Sequence, residues 1–87
     1  MPQAKILICN DKGLHARAAS RFARTANQFD SKITVSANGM SAMASSIMGL
    51  MMLTAAKGCE IHINAEGPQA EEAINALVEL VEAGFHE

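Results

Sequence analysis

Glu60-Ile61-His62-Ile63-Asn64-Ala65 alternates polar and apolar residues without a break. A period of two marks a strand with one buried and one wet face: Ile61, Ile63 and Ala65 point inward, Glu60, His62 and Asn64 toward water. A sheet that is wet on one side is typically antiparallel and carries its helices on the other side. The flanking segments are read from that constraint.

Downstream, Gly67-Pro68-Gln69 opens a helix, with proline at a tolerated first-turn position and Glu71 and Glu72 beside its positive end. Ala70, Ile74, Leu77, Val78 and Val81 form its buried stripe, Glu79 and Glu82 face out, and Gly84 stops it. Upstream, Ser46 to Leu53 starts with a capping residue and carries helix formers, which predicts a helix of about two turns. Asn38-Gly39 is a strong two-residue hairpin signal between a strand over Lys32–Ala37 and a short strand over Met40–Ala44. From Ala16 to Asn27, Ala19, Phe22, Ala23 and Ala26 fall at helical spacing, with Arg17, Arg21 and Arg24 on another face. Phe29, just beyond, closes that layer. Ala4 to Cys9 is a strand that ends at the turn-forming run Asn10-Asp11-Lys12-Gly13.

The order is βαββαβα, an α+β fold in one domain over residues 1–87. Both long helices bury their apolar faces if they lie on one side of a four-stranded sheet. Strands one and two, joined through a helix, run parallel with strand four inserted antiparallel between them, which gives the spatial order 1-4-2-3. The result is an open-faced two-layer sandwich.

At 87 residues the chain buries roughly 60 to 65% of the surface that it exposes when unfolded, a small but adequate core. No apolar run is long enough to span a membrane, and the amino end lacks the pattern of a secretion signal, so a soluble cytoplasmic protein is expected. Cys9 and Cys59 form no metal-ligand spacing and are read as reduced core thiols, brought close together because they end one strand and begin its neighbour. The net charge of −2 hides an asymmetry: residues 1–57 hold all seven Lys and Arg against Asp11 and Asp30, whereas residues 58–87 hold seven Glu and no cation. A basic first helix steers acidic partner surfaces toward it. With no Trp or Tyr and only three Phe, there is little stacking surface for nucleic acid.

Gly13-Leu14-His15-Ala16-Arg17 sets one imidazole and one guanidinium at a strand-to-helix junction. Helix entrances attract anions because their first N–H groups lack helical partners. A neutral imidazole is a good nucleophile toward phosphorus, and the amides of Ala16, Arg17 and Ala18 would then hold the phosphoryl oxygens, with Arg17 as a charged donor. A phosphorus–nitrogen bond keeps a high transfer potential, which suits relay rather than storage. Apart from Asp11, no titrating group near His15 is placed to activate water, so transfer is favoured over hydrolysis.

Gly-Leu-His-Ala-Arg, then Ser-Ile-Met-Gly-Leu, then Lys-Gly-Cys-Glu-Ile and Glu-Gly-Pro-Gln-Ala-Glu-Glu-Ala, resembles the histidine-containing phosphocarrier (HPr) family of the bacterial phosphotransferase system across nearly the whole chain. The resemblance implies a carrier, not an independent enzyme and without cofactor or metal. His15 would accept a phosphoryl group on Nδ1 from phosphorylated enzyme I and pass it to a IIA protein, with Arg17 as the assisting arginine. The family usually has proline where this chain has Ala18, so an additional N–H is available and a fixed φ is lost. Ala18, Lys57-Gly58, Gly67 to Ala73 and Gly84-Phe85 look closer to the nitrogen-related branch, NPr, than to the sugar branch. A sugar-branch carrier with Ser46 regulation and a non-transferring adaptor are the competing readings.

Ser46 matches the family serine that HPr kinase/phosphorylase modifies in some bacteria, and it also suits a helix N-cap. The apolar residues of the short helix cannot all point inward. Leu50 and Leu53 are assigned to the core, and Ile47, Met48 and Met51 to an adaptable docking patch used together with Arg21 and Arg24. His62 is expected on the wet sheet face and His86 in a frayed end; neither suggests a metal site. A monomer is expected, with no nucleic-acid or membrane partner.

Overall fold

The computed structural model describes residues 2–86. Strands β1 (Gln3–Leu7), β2 (Lys32–Ala37), β3 (Met40–Met43) and β4 (Glu60–Glu66) form one sheet in the order β1-β4-β2-β3, and every neighbouring pair is antiparallel. Helices α1 (Ala16–Ala26), α2 (Ile47–Met52) and α3 (Ala70–Glu82) follow in the expected sequence and cover one face.

The central strand sets the register. Ile63 faces Ala4 of β1 and Val35 of β2, while Ile61 faces Ile6 and Ala65 faces Ile33. Ile61, Ile63, Ala65 and Val35 are completely buried, whereas Thr34, Ser36, His62 and Asn64 on the opposite face are half-buried. His62 Nε2 lies 2.7 Å from Gln3 Oε1 on that outer face. Against the inner face α1 presents Ala18, Ala19, Phe22, Ala23 and Ala26, whose small side chains let the helix sit close to the strands. Phe29 packs at the margin of this core. Asn38 and Gly39 take φ of 52° and 78°, the left-handed pair that a two-residue hairpin requires.

Several boundaries differ from the sequence reading for local reasons. β1 ends at Leu7, although the pairing continues as isolated bonds: Ile8 N–H donates to Cys59 O at 2.9 Å and Gly58 N–H to Ile8 O at 2.8 Å. Cys9 is therefore beyond the strand and exposed rather than in the core; both cysteines are free, and their thiols address different elements. Cys9 Sγ donates to Val81 O of α3 at 3.2 Å, and Cys59 Sγ to Asn38 Oδ1 at 3.7 Å. Pro68 does not occupy the first turn of α3, because the chain turns through Gly67-Pro68 and Gln69 is the N-cap. Gln69 N–H donates to Asp30 O at 3.1 Å and its Oε1 accepts from Asp30 N–H at 2.7 Å, which staples this entrance to the segment before β2. Ala73 and Leu80 join the buried face of α3, and Val78 lies at its edge.

The carboxyl end is not frayed as far as it is described. Ala83 caps α3, and a single 3₁₀ turn over Gly84–His86 buries Phe85 completely. Phe85 has φ +58°, unusual for a bulky residue, and is held there by its burial and by its carbonyl, which accepts from Arg21 Nη1.

The β1–α1 loop is pinned at Gly13, whose φ is +64°. A methyl group added there would stand 2.5 Å from Ala55 O and 2.8 Å from Ala56 Cα, both backbone atoms that cannot yield cheaply. Gly13→Ala is expected to cost about 1–3 kcal/mol of stability through left-handed strain and this clash, read as an earlier urea midpoint at unchanged slope.

Candidate functional site

His15 is the N-cap of α1, with extended φ/ψ of −82°/−178°. Three contacts place it there. Its N–H donates to Gly13 O at 3.0 Å, its carbonyl accepts the first helical bond from Ala19 N–H at 2.8 Å, and the preceding Leu14 N–H donates to Ala55 O at 2.8 Å. Asn10, buried beneath the loop, donates from Nδ2 to Gly13 O at 2.8 Å. A residue that reads as simple turn chemistry thus organises the loop from inside.

The ring is half-buried, and its Nδ1 accepts from Arg17 N–H at 3.2 Å. That bond assigns the lone pair to Nδ1 and, in the neutral ring, the proton to Nε2. The basic nitrogen therefore points at the open amino end of α1, where Ala16, Arg17 and Ala18 contribute N–H groups that have no i−4 partner within the helix. Ala16 and the Arg17 side chain are exposed, and Ala18 is buried. The arrangement combines an accessible nucleophile, amide donors and the positive helix end, so that an anion attached at Nδ1 is stabilised by about 0.3–2 kcal/mol from the dipole.

Beside it lies an open depression of about 490 Å³ lined by Cys9, Asn10, Asp11, Lys12, Arg17 and Gly84. Asp11 is paired with a cation. Its Oδ1 takes Lys57 Nζ at 3.0 Å on an exposed rim, and this hydrogen bond and charge hold the Lys57 ammonium above its ordinary pKa.

The remaining candidates separate. Arg24 is exposed, with Nη2 3.4 Å from Ser20 Oγ, whereas Arg21 is half-buried and committed to Phe85 O. Ser46 caps α2, its Oγ accepting from Gly49 N–H at 3.0 Å, and remains exposed. Leu50 and Leu53 are core residues, while Met48 is 73% exposed and Ile47, Met51 and Met52 are about half so. Met52, together with Met40 on the neighbouring β3, extends the apolar surface beyond the expected residues.

Sequence reasoning missed Asn10 and the Arg21–Phe85 contact. A signal existed for the second: a glycine just past a helix end followed by a large apolar residue is the pattern in which that residue folds back on the helix. Among the described residues no three His, Cys, Asp or Glu side chains gather as a metal site would require, and no helix is long and apolar enough to cross a membrane.

A family model described as the PTS HPr component phosphorylation site matches residues 2–83. The chain is 46% identical to the phosphocarrier protein HPr of Pseudomonas aeruginosa over 88 residues, covering all of this chain and 98% of that protein. It is 40% identical to the phosphocarrier protein NPr of Shewanella violacea, covering 98% of this chain and 93% of the relative. The solved structure of HPr-C-His from Thermoanaerobacter tengcongensis superposes with a TM-score of 0.95 at 45% identity, covering 100% of this chain and 98% of that one. A capped histidine on this particular sheet, matched along its whole length, leaves one conclusion: the chain belongs to the HPr family of phosphocarrier proteins.

Proposed function

We propose that residues 1–87 act as one phosphoryl relay domain, in which His15 Nδ1 takes the group from phosphorylated enzyme I and hands it to a IIA protein. The observation that carries this reading is the aim of Nδ1 at the first-turn amides of α1. The lone pair on Nδ1 attacks phosphorus as the donor's bond to it breaks, and the Arg17 N–H that faced the nitrogen turns to a phosphoryl oxygen. Ala16 and Ala18 amides and the Arg17 guanidinium neutralise the remaining charge. The Nε2 proton makes the phosphorylated ring cationic, which keeps it a good leaving group for the next acceptor. No water-activating base is needed, in keeping with a carrier whose partners supply the catalytic machinery.

Donor and acceptor dock, in this reading, on the exposed Ile47, Met48 and Met51, with Arg24 and the α1 face attracting acidic surfaces. Arg21 is less available for that role, since its guanidinium is already occupied. Ser46 is a candidate for modification by an HPr kinase/phosphorylase, where a dianion would repel the same partners. Ala18 and the residues from Gly67 to Ala73 support the nitrogen-related branch, as a monomer working in the cytoplasm.

Incubation with enzyme I, phosphoenolpyruvate and magnesium is expected to place acid-labile label on wild type and none on His15→Ala; steady release of inorganic phosphate instead would show a hydrolase. Handing the label to a nitrogen-type IIA protein faster than to a sugar-type one is the outcome expected for the branch, and the reverse preference would assign the sugar branch. Met48→Glu is expected to raise the KM for carrier about tenfold, by placing a charge in an apolar contact, while leaving the melting temperature unchanged. Incubation with HPr kinase and ATP is expected to label Ser46 and not Ser46→Ala.

A further inference from the structure

Arg21 stands one helical turn beyond Arg17 on the same face of α1, yet the two guanidiniums have different surroundings. Arg17 is exposed and lines the depression beside His15, whereas Arg21 is half-buried and donates to the Phe85 carbonyl. Phe85 is fully buried in a left-handed conformation, and His86 after it is left-handed as well. Two successive non-glycine residues in that region persist only where the surroundings over-determine them.

What the turn touches gives it a role. Gly84 is one wall of the depression that holds Arg17, and its missing Cβ would stand 3.7 Å from Asn10 Cβ. Asn10 Nδ2 donates to Gly13 O, the same oxygen that takes the His15 N–H. Cys9 Sγ meets Val81 O, a second tie between the loop and the end of α3. From the Arg21–Phe85 bond the chain leads through Gly84, which lines the depression together with Asn10, and the Asn10–Gly13 bond leads on to the backbone of His15, while the Cys9–Val81 bond ties the loop to α3 directly.

We propose that Arg21 and Phe85 are positioning residues for phosphoryl transfer: their latch holds the carboxyl-terminal turn against the β1–α1 loop and so fixes the His15 ring on the α1 amides. This rests on the phosphocarrier reading of His15. Without the latch, Gly84 withdraws from Asn10, the loop loses its lateral support, and Nδ1 spends less time aimed at the Arg17 amide. Misplacement of a reacting group by a fraction of an ångström lowers the rate at saturation, while loss of a docking cation lowers affinity.

The test uses the full chain as wild type, Arg21→Ala, Arg21→Lys, Phe85→Leu and Arg24→Ala, with phosphorylated enzyme I as donor and rapid-quench measurement across carrier concentrations. Arg21→Ala and Phe85→Leu are expected to lower the limiting rate by about tenfold with KM changed less than about twofold. Arg21→Lys, which keeps an N–H for the carbonyl, is expected to recover most of the rate. Arg24→Ala is expected to raise KM alone. In the isolated protein, amide exchange at Arg17 should quicken in Arg21→Ala and return toward wild type in Arg21→Lys. A raised KM at unchanged limiting rate in Arg21→Ala would make Arg21 a docking cation and overturn the latch, as would unchanged kinetics and Arg17 exchange in both Arg21→Ala and Phe85→Leu. If wild type takes no label, the relay reading itself fails, and Arg17 exchange still reports on the latch.

Discussion

Pairing of β4 between β1 and β2 is the constraint on which the rest of this structure depends. Its inner residues Ile61, Ile63 and Ala65 have no exposed surface, and each faces an apolar partner on a neighbouring strand. Because side chains alternate along a strand, a slip of one residue would carry all three to the wet face, so the register is enforced by burial worth about 1.5–3 kcal/mol for each isoleucine. That register decides where the chain leaves β1. The bonds between Ile8 and the Gly58–Cys59 backbone extend the pairing just far enough to deliver Asn10 to Gly13 beside Ala55, and the loop then caps α1 with a histidine.

Much of this was legible in the residues themselves. Alternation in β4, the Asn-Gly turn, the alanine stripe of α1 and the Gly-Leu-His-Ala-Arg junction each carry a local rule, and local rules can be read without knowing the neighbours. The split of α2 and its C-cap into buried Leu50 and Leu53 and exposed Ile47, Met48 and Met51 was legible for the same reason: so short a helix has only one inner face. What stayed hidden came from contacts distant in sequence. Arg21 read as a surface cation because nothing near it in the chain announces that Phe85 returns to it, and Pro68 read as a first-turn residue because the staple between Gln69 and Asp30 lies across the fold. Cys9 was misplaced because β1 stops two residues before it, where the strand's hydrophobic run gives way to contacts with α3.

The charge asymmetry of the chain takes a spatial form. The cations Arg17, Arg21 and Arg24 all lie on α1, and the glutamates of α3 flank a neighbouring helix, so the two helices pack through apolar faces while presenting opposite signs to solvent. Of the three arginines one lines the depression beside His15, one is tied to a carbonyl and one is exposed. A repeated residue type at regular spacing has been given three different physical situations by packing alone.

β1 sits at the edge of the sheet and pairs with β4, Gln3 with Asn64 and Leu7 with Glu60, so its docking closes a loop that contains most of the chain. The entropy of that closure is met only when the intervening elements are already compact. The same closure brings Asn10 and Gly13 to Ala55 and completes the cap on α1. A nascent or partly melted chain therefore carries the imidazole without the ring of amides that the closed fold sets around it.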